Sequence, residues 1–193
     1  MNKLSKADLY TLEAYARERP AFRARVLDHK QPRKVSIGAH VTLLFEDRLT
    51  IQYQIQEMLR VERIFEAAGI QDELDAYNPL IPDGANLKAT MLIEYPDPEE
   101  RARRLLELHD IENRIALHID GQAPVVAIAD EDMDRSTEQK TSAVHFLRFD
   151  LDAAQVSAFK RGAAVELRVD HPRYSERCAL TEASRSALAA DFD

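Results

Sequence analysis

The sequence feature that most constrains this chain is a long helical pattern between Phe45 and Gly69. At about 100° per residue, its apolar side chains fall on one face, as in a helix that is buried on one side. These side chains are Ile51, Ile55, Met58, Leu59, Val61 and Phe65. Asp47 followed by Thr50 is typical of an N-cap, and Gly69 is placed to end the helix as a left-handed residue. The pattern predicts a central helix of about 21 residues, around which the rest of the chain packs.

Two rows of polar side chains lie on this predicted helix. Gln54 and Glu62 fall inside the apolar face, where an ionised carboxylate is costly unless a cation or a hydrogen-bond donor meets it. Tyr53, Glu57 and Arg60 lie on a second face, where Arg60 can pair with Glu57. One interpretation is structural, with Glu62 bridged to an arginine of the N-terminal segment. The other is functional, with these side chains lining a pocket for a ligand, a metal or a partner.

The composition is that of one ordinary folded domain, or of one domain with a helical appendage. Of the 193 residues, 45% are hydrophobic and 31% are charged. A chain of this length and composition can bury a stable core without disulfide or metal cross-links. The single cysteine, Cys178, excludes an intrachain disulfide and a multi-cysteine zinc or iron–sulfur site built by this chain alone. No apolar run approaches the roughly 18 residues that span a bilayer, and the N-terminus has the pattern of an amphipathic helix instead of a signal peptide. We therefore expect a cytoplasmic protein without a membrane segment.

The charge distribution bears on the kind of partner. A net charge of −8 argues against nucleic acid, whose phosphates require a clustered positive surface. Residues 15–34, however, carry seven cationic side chains and two carboxylates, a local balance of +5. This basic segment either holds acidic residues of the long helix, such as Glu57 and Glu62, or docks an acidic protein partner. The internal use is favoured.

The period of the apolar pattern changes along the chain. Helical periods dominate residues 1–80, where Pro20 is expected to end a first helix, and a period of two dominates residues 81–193. The stretch NPLIPDGAN between the two parts contains two prolines and a glycine, which predicts a surface loop. Short spacings between the strands favour antiparallel pairing. The prediction is an α+β fold, in which an N-terminal helical layer with one long central helix packs on an antiparallel sheet of about six strands, as one compact unit.

Several chemistries lack their sequence motifs. The five glycines are too scattered to make a phosphate-binding loop or a dinucleotide fingerprint. Cys178 lies in a predicted strand without the glycine-rich setting of a nucleophile. The acidic run that starts at Asp130 has calcium-loop spacing, but Arg135 stands where the sharp turn needs glycine. We therefore predict a solvated loop at that run.

A metal site assembled in space is the remaining chemical alternative. Its ligands would be Glu57, Glu62 and one or two histidines, which need not be close in sequence. The candidate histidines are His40, His118, His145 and His171. His145 alternates with the apolar positions of its strand and is expected to point into the core. A lone histidine there is more often a hydrogen-bonded core residue than a ligand.

Three segments carry a resemblance to a known family. They are FEDRLTIQYQIQEMLRVE, VHFLRFDL and VDHPRYS. With them the chain resembles DUF3501, a bacterial family of uncharacterised proteins, over nearly its whole length. The resemblance implies an association with rubrerythrin-like proteins and iron–sulfur oxidoreductases, and so a role in oxidative stress or electron transfer. It transfers no catalytic residue and directs attention to Gln54, Glu57 and Arg60.

The leading hypothesis is a non-catalytic cytoplasmic accessory protein that binds a partner from a redox system. The alternative is a small metal-dependent or ligand-binding enzyme that uses carboxylates of the long helix with a histidine. A third hypothesis is a homodimer built on the long helix. The candidate binding residues are Tyr53, Gln54, Glu57, Arg60, Glu62 and His145. The sequence identifies neither a cofactor nor a metal.

Overall fold

The computed structural model describes residues 2–129 and 141–192, which form six α-helices and nine β-strands. The helices are α1 (Leu12–Lys30), α2 (Arg48–Glu62), α3 (Ala67–Tyr77), α4 (Pro98–Glu107), α5 (Ala153–Lys160) and α6 (Glu182–Ala189). The strands are β1 (Lys34–Ile37), β2 (Val41–Glu46), β3 (Asn86–Ile93), β4 (Ile115–Ile119), β5 (Val125–Val126), β6 (Ile128–Ala129), β7 (Val144–Asp150), β8 (Val165–His171) and β9 (Tyr174–Ala179). The predicted solvated loop that starts at Asp130 lies outside the described residues. Among the helices of the described ranges, none combines the length and the hydropathy of a membrane-spanning segment.

The strands form two antiparallel sheets that enclose one apolar core. Their strand orders are β1-β2-β3-β7-β6 and β5-β4-β8-β9. Side chains alternate along each strand, so that Val165, Leu167 and Val169 of β8 are buried while the residues between them face outward. The chain passes from one sheet to the other at Ala127, which separates β5 from β6. The predicted α+β class with antiparallel pairing is confirmed, and the strands are divided between two sheets.

The helices α1, α2 and α3 form the N-terminal layer and have small apolar clusters of their own. One cluster contains Ile51, Ile55 and Leu59 of α2, Leu74 of α3, and Leu4 and Ile81 from the segments beside them. α1 packs on α2 through Tyr15, Phe22 and Val26. Both clusters are separate from the core between the sheets. The helical layer is therefore attached to the sheets without sharing their core.

The central helix is shorter than predicted. It begins at the predicted N-cap Asp47, whose side chain accepts a hydrogen bond from the backbone of Thr50, but it ends at Glu62. Arg63 takes a left-handed conformation with φ of 56°, and Gly69 lies inside the next helix, α3. The prediction of one helix from Phe45 to Gly69 was wrong. The residues that link α2 to α3 include neither glycine nor proline, so the sequence pattern does not mark the break. An arginine takes the left-handed position that the sequence pattern assigns to glycine.

The first helix is longer than predicted, since α1 continues through Pro20. Tyr15 precedes the proline and Phe22 and Val26 follow it, and all three side chains are buried. Packing of this continuous face outweighs the backbone hydrogen bond that a proline removes from a helix interior. The expectation that Pro20 ends the helix was therefore wrong.

Candidate functional site

Glu57 lies at the centre of an ion cluster between α1 and α2. Its carboxylate accepts hydrogen bonds from Nε and Nη2 of Arg19 at 2.7 and 2.8 Å and from the hydroxyl of Tyr15 at 2.7 Å. Arg60 donates to the same carboxylate at 3.2 and 3.4 Å, as predicted from their spacing. These donors, Arg19 foremost, lower the pKa of Glu57 to about 2. The basic N-terminal segment thus has the predicted internal use, and Glu57 joins two helices.

The other predicted residues of α2 do not gather around Glu57. The ring of Tyr53 lies 6.0 Å from that of Phe22, and the ammonium of Lys30 lies 5.9 Å from the Tyr53 ring. Gln54 is half-buried. Glu62 is exposed, so the expectation that it lies in an apolar contact surface and meets an arginine there was wrong. The last turn of α2 extends beyond the buried cluster and carries Glu62 into solvent.

His145 points into the core, as predicted, and is fully buried there. Its Nε2 lies 2.8 Å from the hydroxyl oxygen of Thr141 and 3.0 Å from the carbonyl oxygen of Ser142. Thr141 in turn donates to the carboxylate of Glu112 at 2.8 Å. None of these groups belongs to α2, so the predicted metal site, which combines a histidine with Glu57, is not assembled. Within the described ranges no group of three or more His, Cys, Asp and Glu side chains is placed to hold a metal.

A groove with a volume of about 710 Å³ lies on the outer face of the four-stranded sheet. This volume is in the range of binding sites for small molecules. Its polar and charged lining residues are Asn113, Arg114, His118, Arg168, Asp170, Ser175, Glu176 and Arg177. Pro124 and Val126 line it on the side of β5, and 57% of Val126 is exposed. We define this surface as the outer groove.

The register of the sheet explains the concave shape. Ala116 of β4 stands between Val126 of β5 and Arg168 of β8, and Arg168 stands opposite Arg177 of β9. A small side chain is thus flanked by larger ones along a row that crosses all four strands. The next row places Ser175 opposite Asp170. Short side chains form the floor of the outer groove, and long cationic ones form a wall.

Two arginines face each other in that wall. Arg168 and Arg177 are directly opposite on adjacent antiparallel strands, an arrangement of like charges that destabilises a sheet. Nε of Arg168 lies 2.5 Å from a carboxylate oxygen of Glu166, and this bond lowers the pKa of Glu166. In the part of the chain that the structure describes, Arg177 forms no ion pair within 4.0 Å. Arg114 pairs with Asp110 at 2.9 Å and Arg168 with Glu166, so Arg177 is the arginine of the outer groove that has no such pair among the described side chains.

His118 lies on the same outer face, opposite Glu166. Burial lowers the pKa of His118 below its usual value, and the charge of Arg168 lowers it further. The lowered pKa favours the uncharged imidazole, which can donate one hydrogen bond and accept another. The sequence singled out His118 only as a metal ligand, and it missed the three arginines because their proximity depends on strand register.

Comparisons with known proteins establish the family and assign no activity. A search of curated proteins finds no match. A crystal structure described as a "novel protein of unknown function", from Burkholderia pseudomallei K96243, is 51% identical to this chain, with a TM-score of 0.95 and full coverage of both chains. The family model described as "Protein of unknown function (DUF3501)" matches residues 3–192. The chain therefore belongs to the DUF3501 family, as its resemblance predicted.

Proposed function

We propose that this chain is a non-catalytic accessory protein that binds an anionic group of a partner in the outer groove. The observation that carries the proposal is the facing pair of Arg168 and Arg177. A like-charge pair across two strands lowers the stability of the sheet. Glu166 bonds Arg168, and a carboxylate bound at Arg177 would offset the repulsion that remains. Proteins place mutually repelling side chains next to each other mainly at functional sites, where binding of a ligand compensates for the lost stability.

The lining of the outer groove favours carboxylates over polyanions. Arginine binds carboxylates with two parallel hydrogen bonds, and of the three arginines that line this surface Arg177 is the one without a carboxylate within 4.0 Å among the described side chains. Asp170 and Glu176 lie among them, so a continuous phosphate backbone would meet repulsion along the same surface. The exposed side chain of Val126 offers an apolar contact on the β5 side. A single carboxylate of a partner protein, flanked by apolar side chains, matches this combination.

The partner in this proposal belongs to a redox system, as the family resemblance implies. A rubrerythrin-like protein and an iron–sulfur oxidoreductase are the two candidates. Weak electron-transfer complexes commonly use interfaces that bury less than about 1,200 Å², which an open charged groove and its rim can supply. The proposal therefore predicts a salt-sensitive complex of modest affinity instead of a permanent assembly.

The test uses the full chain together with a rubrerythrin-like protein and an iron–sulfur oxidoreductase from the same genome. Isothermal titration calorimetry at two salt concentrations should show that at least one of them binds, with weaker binding at high salt. The Arg177→Thr variant should bind about tenfold more weakly, since a well-placed interfacial charge contact contributes roughly 1.5 kcal/mol.

The matched control is Arg23→Ala, which removes one exposed arginine from α1, away from the outer groove. This variant should retain its affinity within about twofold, because exposed charges separated by more than a Debye length are largely screened. Absence of binding to both proteins would reject the redox role. Equal binding by the two variants would reject the outer groove as the binding surface.

A further inference from the structure

The strand β9 forms one wall of the outer groove and is also an edge of its sheet. All six of its residues are exposed or half-buried. An edge strand presents unpaired backbone N–H and C=O groups, which can serve as a template for another strand. The strand that lines the outer groove is therefore also the strand whose free edge can pair with another strand.

The hydrogen-bond pattern of the β8–β9 hairpin shows which backbone groups face outward. The backbone N–H of Leu180 donates to the carbonyl oxygen of Val165 at 2.8 Å. In an antiparallel pair, residues that exchange bonds alternate with residues that do not, so every second residue before Leu180 also bonds to β8. The residues whose backbone groups point away from β8 are Ser175, Arg177 and Ala179.

These outward groups are available for pairing. In the described ranges, no hydrogen bond reaches the backbone of Ser175 or Arg177 at this edge. At Ala179, the thiol of Cys178 makes a weak contact with the carbonyl oxygen at 3.5 Å. The side chain of Arg177 lies on the outer face, so both its charge and its backbone groups are accessible to the same ligand.

We propose that an extended acidic segment of a partner protein adds to the sheet as an antiparallel strand along β9, with a carboxylate on the outer face opposite Arg177. Residues directly opposite in an antiparallel pair place their side chains on the same face, so this carboxylate meets the Arg177 side chain, while Arg168 on β8 bonds Glu166. Backbone hydrogen bonds supply affinity, and alternate side chains supply specificity. The inference rests on the proposed function and specifies the form of the partner.

A second copy of this chain is a poorer occupant of the edge. Two β9 strands related by a two-fold axis perpendicular to the sheet pair residues of the same face. Two registers of this kind give the longest overlap. One places Glu176 opposite Glu176, and the other places Arg177 opposite Arg177. Like charges directly opposite are destabilising, so the strand disfavours self-pairing and favours a segment of opposite charge.

The test uses a short synthetic peptide in which threonine and glutamate alternate. NMR spectra of the full chain should show the peptide at the outer groove, and hydrogen exchange of the amides of Ser175, Arg177 and Ala179 should slow by about tenfold at saturation. The amides of Glu176 and Cys178 serve as internal controls, because they already bond to β8. Their exchange should change much less.

Two N-methylated versions of the peptide provide the decisive comparison. In the proposed pairing, the glutamate N–H groups face β9 and the threonine N–H groups face solvent. Methylation of the glutamates should abolish binding, whereas methylation of the threonines should change the affinity by less than about threefold.

Equal affinity of the two methylated peptides, weaker binding by the threonine-methylated one, or no binding of the parent peptide would overturn the proposed strand addition. These results are independent of the calorimetric test with the redox proteins. A partner that depends on Arg177 while the two methylated peptides bind alike would leave the proposed function intact and remove strand addition.

Discussion

Arg33 and Asp191 form a buried bidentate ion pair that joins positions 158 residues apart in the chain. Nη1 and Nη2 of Arg33 donate to the two carboxylate oxygens at 2.9 and 2.7 Å. Nη2 also lies 3.1 Å from Asp47, the N-cap of α2, and His29 contacts the same Asp47 carboxylate. The helical layer and the sheets have separate apolar cores, and this polar junction connects the two parts.

Replacement of Arg33 by methionine should destabilise the protein strongly. The change leaves the carboxylates of Asp47 and Asp191 buried without their shared cation, a situation that typically costs about 3–5 kcal/mol. Urea denaturation of the Arg33→Met variant measures the loss. The control is Arg161→Met at the exposed end of α5, which should change stability by less than about 0.5 kcal/mol. A loss below about 1 kcal/mol for Arg33→Met would show that the junction contributes little.

The ion cluster at Glu57 predicts a specific acid dependence of stability. The pKa of Glu57 is lowered from 4.5 to about 2, so the folded state favours the ionised carboxylate. This contribution is fully present above pH 4.5 and is lost as the pH falls toward 2. The Glu57→Gln variant lacks it, and the difference in unfolding free energy between wild type and variant should shrink as the pH decreases through this window. Urea titrations at several pH values measure that difference.

Glu62→Gln is the matched control for Glu57→Gln, because it makes the same chemical change on the same helix at an exposed position. Its stability should follow that of the wild type within about 0.5 kcal/mol over the same pH range. An identical pH profile for the two variants would contradict the assignment of the acid-sensitive contribution to the Glu57 cluster.

The turn between β1 and β2 makes a close contact with β9 at Gly38. Gly38 has a positive φ of 68°, and an added Cβ would lie 2.5 Å from the hydroxyl oxygen of Tyr174. That hydroxyl donates to the carbonyl oxygen of Ile37, so the contact connects edge strands of the two sheets. The Gly38→Ala variant should therefore lose stability through both backbone strain and steric conflict.

Gly121→Ala separates these two effects. Gly121 has a similar φ of 73°, but nothing lies within 4 Å of an added Cβ. It should lose about 1–2 kcal/mol from the left-handed backbone alone, and Gly38→Ala should lose about 1–3 kcal/mol more from overpacking. Thermal or urea unfolding compares the two variants. Equal losses would indicate that Tyr174 moves aside without cost.

Local sequence patterns were sufficient for features that depend on neighbouring residues. The N-cap at Asp47 and the pair of Glu57 and Arg60 involve positions three apart, and both are present as predicted. The α+β class followed from the change of period from helical to alternating. The end of α2 was missed because Arg63 adopts a conformation that no residue type in the corner marks.

The outer groove could not be predicted, because it depends on pairing between distant strands. The sequence shows that Arg168 alternates with the apolar residues of its strand, but it does not show that Arg177 lies directly opposite. Strand register is set by the turn and by packing of the inner faces, and a shift of one residue would reverse every side chain. The prediction of a site on α2 followed its polar residues, and Glu57 there has its hydrogen-bond partners on α1 and α2.

The facing arginines lead to a prediction in which stability and binding change in opposite directions. In the isolated protein, Arg177→Thr removes the repulsion from the directly opposite Arg168, which outweighs the attraction to Glu166 two residues along β8, and it places a β-branched residue in a strand. It should therefore stabilise the fold by about 0.2–1 kcal/mol. Arg177→Glu should stabilise it further through attraction to Arg168. Urea denaturation at low salt measures both changes, and added salt should reduce them. Replacement of a residue that is kept only for packing lowers the stability of the fold. Destabilisation by Arg177→Thr would therefore indicate that Arg177 supports the sheet, and it would remove the main argument for an anionic partner.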